Sequence, residues 1–317
     1  MGYHQLTQDE RYTIARMRSR GKSLREIGRC IGRSVSTISR EVRRNACPYD
    51  GKYRVEKAQS RAMARRWRSR KKSQYDEREW EEIRRQLQRK WSPEQISGRR
   101  RLKQARPISH ETIYRFVRKD RSQAGELWRH MRHMSKLWRK RRCSPATRGR
   151  LLGKRHISQR PRRVESRREY GHCEGDTVMG ADGKHCVLTL VERKTGKVAV
   201  QKMSARTAEQ ACQALSRAIL KFGGKVKTIT LDNGTEFHGY KEIERIWGVE
   251  IFFATPYRSC ERATNENTNG LLRQYLPRGV DLKDLTQPQC NYFEQELNDR
   301  PRERLGFRTP DEVAARC

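Results

Sequence analysis

The sequence is short of two things: acidic residues to balance its charge, and long apolar stretches. Its 317 residues include 73 Lys and Arg against 37 Asp and Glu, a net charge of +36. No apolar run approaches the roughly 20 residues of a membrane-spanning helix, no segment resembles a signal peptide, and Leu6 stands where an N-myristoylation motif has Ser or Thr. We therefore expect a cytoplasmic protein that binds a polyanion and uses no membrane.

Paired cysteine motifs are also missing. Nine cysteines occur, but none forms a Cys-x-x-Cys motif. Two His-Cys pairs, His172-Cys173 and His185-Cys186, are the alternative that would suggest zinc. Both pairs lie in predicted strands, where adjacent side chains point to opposite faces. We therefore favour ordinary buried or half-buried residues with reduced thiols.

The positive charge is concentrated in the first half of the chain, which opens with a three-helix pattern. Residues 1–170 carry a net charge of +34, and residues 171–317 only +2. Capping boxes at 7–10 and 23–26 start two helices, and Ser34 starts a third after the stop at Gly32. In a helix-turn-helix the last helix enters the major groove of DNA, whereas a plain three-helix bundle is the alternative. The expected DNA contacts are Ser36, Thr37, Arg40, Arg43 and Arg44.

A second, weaker helix-turn-helix pattern follows. The segment Ser92-Pro-Glu-Gln95 is another capping box, and residues 108–117 have an apolar helical stripe. Here His110 and Tyr114 are the predicted DNA contacts. Two basic segments stay open: residues 61–72 as a helix along phosphates or a charged linker, and residues 127–168 as a solvated connector or a phosphate-binding track.

The second half changes to strands and helices. Strand patterns occupy 172–179, 185–192, 197–203, 226–231 and 250–254, with helices at 207–222, near 239–247 and around Glu266. The order βββαβαβα predicts a mixed sheet covered by helices, the order of a ribonuclease-H-like fold.

Three carboxylates stand out in this half. Asp176 falls inside the first predicted strand. Asp232 ends the fourth predicted strand at an Asn-Gly turn, and Glu266 follows on a helix. Carboxylates from two strands and one helix suit a divalent-metal site for phosphoryl transfer. The spacing alone leaves Glu236 and Glu261 open as the third ligand.

Together these motifs resemble the DDE transposases of bacterial insertion sequences, specifically the IS-thirty family. The resemblance covers nearly the whole chain and rests on Ile38-Ser-Arg-Glu41, Trp91-Ser-Pro-Glu-Gln95, Ser109-His-Glu-Thr-Ile-Tyr114, Gly171-His-Cys-Glu-Gly-Asp-Thr-Val178, Asp232-Asn-Gly-Thr-Glu-Phe237 and Asn265-Glu-Asn-Thr-Asn-Gly-Leu-Leu-Arg273. The sequence departs from the family pattern at Cys173 and Cys260, where Trp is expected, and at Ala263, where Gly is expected.

The resemblance implies a multidomain transposase that binds the terminal inverted repeats of its element and catalyses metal-dependent DNA cleavage and strand transfer. Asp176, Asp232 and Glu266 would be the catalytic and metal-binding triad for two Mg²⁺ ions, with Mn²⁺ as a substitute. Double-stranded DNA would be the partner of a nucleoid-associated homodimer or higher oligomer. A catalytically weak or inactive DNA-binding repressor is the alternative.

We further expect Arg273, seven residues after Glu266, to share its helix face and contact a DNA phosphate beside the scissile one. The predicted segments are a helix-turn-helix domain at 1–48, a basic helical linker at 49–88, a second helix-turn-helix at 89–122, a basic connector at 123–168 and a ribonuclease-H-like DDE catalytic domain at 169–317.

Overall fold

A computed structural model describes residues 5–69, 75–132, 153–256 and 258–317. The chain forms two compact units, Met1–Glu77 and Arg78–Cys317. The central part of the expected basic connector, residues 133–152, lies outside the described residues. None of the described helices combines the length and apolar character needed to span a bilayer.

The described residues of the first unit form four helices: α1 (Gln8–Ser19), α2 (Leu24–Ile31), α3 (Val35–Asn45) and α4 (Val55–Ser69). Both expected capping boxes form, and the Ser34 hydroxyl caps α3 by accepting from the Thr37 amide. Gly32 ends α2 at φ 65°, a left-handed conformation that glycine adopts at little cost. The core of this unit consists of Leu6, Ile14, Ile27, Ile38 and Val42.

Helix α4 packs on α1 and α3 within this unit. Arg61 Nη1 donates to the carbonyl oxygens of Asn45 and Ala46 at 3.0 and 2.7 Å, at the end of α3 where helical carbonyls lack intrahelical partners. Arg65 Nη2 donates to Asn45 Oδ1 at 2.5 Å. These bonds fix α4 against the end of α3.

The second unit begins with three helices: α5 (Glu77–Gln88), α6 (Pro93–Leu102) and α7 (His110–Ser122). The expected capping box forms at the start of α6. The predicted division into five segments stays a prediction. Within the described residues, α4 belongs to the first compact unit and α6 and α7 to the second.

A five-stranded mixed sheet forms the centre of the second unit. Its strands are β1 (His172–Met179), β2 (Cys186–Glu192), β3 (Val198–Met203), β4 (Thr228–Leu231) and β5 (Glu250–Phe253), in the order β3-β2-β1-β4-β5. The first three strands pair antiparallel, and β1, β4 and β5 pair parallel. This arrangement confirms the predicted ribonuclease-H-like fold.

Helices cover both faces of the sheet: α8 (Ala208–Lys221), α9 (Tyr240–Trp247), α10 (Ala263–Leu272), α11 (Gln287–Asn298) and, after them, the short α12 (Pro310–Ala314). One apolar core joins the sheet to α8 and α9, and a second joins it to α10 and α11. Alternate residues of β2 enter opposite cores: Leu188 and Leu190 belong to the first, and Val187 and Val191 to the second.

The helices α5 to α7 are attached to the sheet domain by polar contacts and one close approach. Arg89 pairs with Glu296 and Asp299 at 3.0 and 3.1 Å. A side chain at Gly98 would place its Cβ 2.3 Å from the ring of Phe307, so only glycine fits this approach.

Candidate active site and nucleic-acid interface

The two candidate aspartates lie at the ends of the paired segments of adjacent parallel strands. β1 pairs with β4 over His172–Glu174, so Asp176 follows the paired segment by two residues, and Asp232 directly follows β4. Arg262 lies beside both: its Nη1 is 3.3 Å from Asp176 Oδ1 and its Nη2 is 3.9 Å from Asp232 Oδ2. The structure thus brings both carboxylates to one shared positive group.

Hydrogen bonds fix the orientation of each carboxylate. Asp176 accepts from the Thr177 amide and from Asn269 Nδ2, each at 3.0 Å, and Asp232 accepts from the Gly234 amide at 3.0 Å. Burial raises the pKa of the Asp176 carboxyl above its usual value; the Asp232 charge acts in the same direction, and Arg262 opposes both.

Two asparagines of α10 hold this helix against β2. The hydroxyl of Thr189 lies 3.1 Å from Asn265 Oδ1 and 2.9 Å from Asn269 Oδ1. The backbone N–H of Asn265 also donates to Glu174 at 2.9 Å, and Glu174 in turn pairs with Arg193 at 3.2 Å. A polar network therefore fixes the helix that carries Glu266.

Glu266 is exposed on α10. Asn269 lies three residues after it on the same helix and donates to Asp176, and Arg262, the residue just before the helix, also contacts Asp176. Residues three or four apart share one side of a helix, so Glu266 lies on the side of α10 that meets Asp176. The carboxylate oxygens of Asp176, Asp232 and Glu266 do not all lie within 4.8 Å of one another. Among the described residues, the group that meets this distance is Asp182 and His185, in the β1–β2 turn, with Asp281, which follows α10 in the chain.

The two alternative third ligands are engaged elsewhere. Glu236 is buried, accepts from the Thr177 hydroxyl at 2.7 Å and pairs with Arg206 at 2.8 Å. Glu261 accepts from the amide and hydroxyl of Thr255 at 2.7 and 2.9 Å. Both carboxylates thus support the loops around the site.

The residues that depart from the family pattern fit their positions. Cys173 is buried in the core, and Cys260 is exposed. Ala263 has an ordinary helical φ of −59°, so the backbone there does not require glycine.

The four residues of the zinc alternative make separate contacts in the structure. Cys173 and Cys186 join the apolar core, His172 contacts Thr228 and Glu169, and His185 contacts Asp182. Ordinary packing and hydrogen bonding account for each of them.

The predicted DNA contacts of α3 are at its surface. Arg40, Arg43 and Arg44 are exposed, as is Ser36, and Thr37 is half-buried. Ser34 Oγ lies within hydrogen-bond distance of both Ser36 Oγ and Thr37 Oγ1, at 3.0 and 2.8 Å.

The other predicted DNA contacts, His110, Tyr114 and Arg273, differ in whether their side chains are already hydrogen-bonded within the protein. His110 is exposed at the start of α7, and Tyr114 donates to Glu94 at 2.9 Å; burial, and then Glu94, raise the pKa of Tyr114 to about 12. Helix α10 ends at Leu272, and the guanidinium of Arg273 donates to the carbonyls of Met179 and Leu276 at 3.1 and 3.4 Å. A phosphate contact by Arg273 stays a prediction, since these bonds give it a bracing role.

Four residues of the site were not predicted from the sequence: Arg262, Thr189, Asn265 and Asn269. The spacing of the two asparagines, one helical turn apart, was a usable signal, as was a threonine within an apolar strand. Arg262 carries no such signal, because it lies in a short 3₁₀ turn, Ser259–Arg262, that precedes α10 and is too short to show a periodic pattern.

Comparison with known proteins gives matches over both units. A helix-turn-helix domain model matches residues 2–45, and an integrase core domain model matches residues 166–259. The chain is 38% identical to the transposase for insertion sequence element IS4351 of Bacteroides fragilis, over 97% of this chain and 94% of that relative.

Two further comparisons extend these matches. The chain is 34% identical to transposase InsI for element IS30A of Escherichia coli, over 98% of this chain and 83% of that relative. Among solved structures, the catalytic core of BIV integrase aligns with a TM-score of 0.36 and 20% identity, covering 46% of this chain and 94% of that one.

Proposed function

Because the chain belongs to the IS30 family of insertion-sequence transposases, we propose that Asp176, Asp232 and Glu266 form its catalytic site. The protein is a transposase, a polynucleotidyl transferase that binds DNA through its helix-turn-helix domain. The further proposal concerns which residues act, which ions they bind and which DNA they recognise.

The geometry around Asp176 and Asp232 fits a divalent cation. Integrase core domains use such ions, and hard oxygen ligands suit Mg²⁺ or Mn²⁺. Both carboxylates face one positive group, the Arg262 guanidinium, which is the observation that carries the proposal. We infer that the two aspartates and Glu266 hold two Mg²⁺ ions; when bound, the ions activate the attacking oxygen and stabilise the leaving one.

The residues of the chain itself prepare the site. Asn269 and the Thr177 amide set the orientation of Asp176, and the Gly234 amide sets that of Asp232. Glu266 projects from a helix that Thr189 and Glu174 hold in place, so the backbone that carries its carboxylate is fixed before DNA binds.

Recognition of the element's ends is assigned to the first unit. Ser36, Thr37 and Arg40 would contact base edges, and the remaining arginines of α3 would contact phosphates. Two ends must be joined to one target, which supports action as a homodimer or higher oligomer. The presence of both strand aspartates gives no support to the repressor alternative.

Cleavage of labelled end DNA with Mg²⁺ tests the site. Asp176→Asn and Glu266→Gln should abolish cleavage while DNA binding survives, because a neutral amide is a poor ligand for a hard cation. Mn²⁺ binding, measured without DNA, should also weaken in both variants. Asp182→Asn is the matched control and should cleave normally. Loss of cleavage in the control, with cleavage retained in Asp176→Asn, would move the site to the Asp182, His185 and Asp281 group.

A further inference from the structure

The first unit contains a basic cleft that the contacts of a recognition helix do not explain. It measures about 350 Å³ and lies between α3 and α4, next to residues 5 and 6. Five arginines line it: Arg11, Arg40, Arg44, Arg65 and Arg66. The one carboxylate in its lining is Glu41.

The charge of the cleft is strongly unbalanced. Arg11 Nε pairs with Glu41 Oε1 at 2.7 Å, and both side chains are almost fully buried, so these two charges neutralise each other. Among the described residues, no carboxylate lies within ion-pair distance of Arg40, Arg44 or Arg65. Three guanidinium groups facing one concave space attract an anion with several acceptor oxygens.

The walls of the cleft are fixed before any ligand binds. Arg61 holds α4 to the carbonyls of Asn45 and Ala46, and Arg65 bonds to the buried Asn45 side chain. Arg66 contacts Gln5 across the cleft. A preformed arrangement of donors loses less conformational entropy when it binds than flexible surface arginines would.

The position of α4 beside α3 determines which part of DNA it meets. A major groove about 12 Å wide accommodates one α-helix. Packed helices lie about 8–10 Å apart, so a helix packed on the recognition helix lies outside the groove, above the flanking phosphates. Arg44 of α3 then meets the same backbone as Arg65 and Arg66 of α4.

We propose that the cleft between α3 and α4 binds a backbone phosphate of the element's end, with Arg65 and Arg66 as DNA contacts. The inference builds on the proposed function of the first unit. Helix α4 is then a fourth element of the DNA-recognition unit: Arg44, Arg65 and Arg66 contact the phosphate, while Ser36, Thr37 and Arg40 keep their proposed contacts with base edges.

The test measures binding of the full-length protein to end DNA as a function of salt. Each lost phosphate contact lowers the slope of log K against log salt by about 0.9, which changes the loss of affinity between 50 and 200 mM salt by about 3.5-fold. Arg66→Gln should show this reduction and Arg66→Lys should restore most of it. Arg65→Gln should show the same reduction of the slope. Because Arg65 also bonds to Asn45, the thermal unfolding of this variant is measured to distinguish a loss of stability from a lost phosphate contact.

The matched control is Arg18→Gln, which removes an exposed charge of α1 that does not line the cleft. Its slope should stay within error of the wild type. Ethylation interference adds a direct readout: one phosphate whose ethylation blocks wild-type binding should become neutral in Arg66→Gln.

Two outcomes separate the inference from the function on which it builds. Wild-type slope and footprint in Arg66→Gln and Arg65→Gln, with tight binding of end DNA, would overturn the cleft as a phosphate site and leave end recognition intact. Failure of the wild-type protein to prefer end DNA over random DNA would instead contradict the proposed function.

Discussion

At the scale of single residues, Arg262 determines the electrostatics of the candidate site. Its guanidinium lies within 4 Å of both strand aspartates, is almost fully buried, and has an Nε without a hydrogen-bond partner among the described residues. A positive charge in this position compensates the two nearby carboxylates, and it also repels any metal ion that approaches them.

Arg262→Gln should therefore increase the affinity for Mn²⁺, because the substitution removes one positive charge beside the ligands. We expect an effect of roughly tenfold, or ~1.4 kcal/mol. Isothermal titration calorimetry without DNA measures it. Arg258→Gln, an exposed arginine of the same loop, is the control. Equal or weaker Mn²⁺ binding in Arg262→Gln would mean that the guanidinium supports the ligands more than it competes with the ion.

The buried charge of Asp176 should lower the stability of the fold at neutral pH. The environment raises the pKa of its carboxyl, chiefly through burial, so the folded state binds a proton more readily than the unfolded state does. The charged carboxylate is then destabilising at neutral pH, and the penalty disappears as pH falls through the folded-state pKa toward the ordinary value of 3.8.

Asp176→Asn should accordingly raise the Tm at pH 7, because the substitution removes the cost of a buried charge; each ~1 kcal/mol gained corresponds to about 2–4 °C in a unit of this size. The gain should shrink as pH falls toward 4. Asp182→Asn provides the opposite sign, since His185 lowers the pKa of Asp182 and its charge is favourable in the fold. A lower Tm for Asp176→Asn at pH 7 would show that its hydrogen bonds outweigh the cost of burial.

At the scale of helices and strands, local signals in the sequence were sufficient for most elements. Capping boxes placed the starts of α1, α2 and α6, and β-branched alternation placed all five strands within two residues. Contacts between elements lacked such signals. The close approach of Gly98 to Phe307 joins residues more than 200 positions apart, and no local pattern encodes it.

Gly98→Ala tests this contact between α6 and the C-terminal turn. The added Cβ would lie 2.3 Å from the Phe307 ring, and overpacking of this kind costs about 1–3 kcal/mol. Urea unfolding should show that loss. The double variant Gly98→Ala with Phe307→Ala should be less destabilised than the two single changes added together, because removal of the ring relieves the clash. Strict additivity would mean that α6 shifts to avoid the ring.

The end of α10 shows a different limit of prediction. A spacing of seven residues suggested that Glu266 and Arg273 share a helix face, yet the helix stops one residue before Arg273. Helix ends depend on which carbonyls find partners, and the Arg273 guanidinium finds those of Met179 and Leu276 in the fold. Spacing alone likewise left Glu236 and Glu261 open as the third ligand, because it carries no information on the tertiary contacts that these two carboxylates make.

At the scale of the whole molecule, charge is divided between the two halves. With a net charge of +34 in residues 1–170, binding to end DNA should depend steeply on salt. For ~6–10 phosphate contacts, affinity should fall by roughly 10³–10⁵-fold between 50 and 200 mM salt. Fluorescence anisotropy with labelled end DNA measures this, with a separate titration on random DNA. A nearly flat response would contradict a phosphate-dominated interface.

The attachment of α5 to α7 also sets a distance. Lys90 Nζ donates to the carbonyl of Gln274 at 2.5 Å and lies 4.6 Å from the centre of the Tyr275 ring, just beyond the helix that carries Glu266. Arg89 and Gly98 hold the same helices to α11 and the C-terminal turn. If α7 binds DNA and Asp176, Asp232 and Glu266 cut it, as proposed, these contacts fix the distance between the two sites, and the number of base pairs from the bound segment to the cut is then a property of the fold.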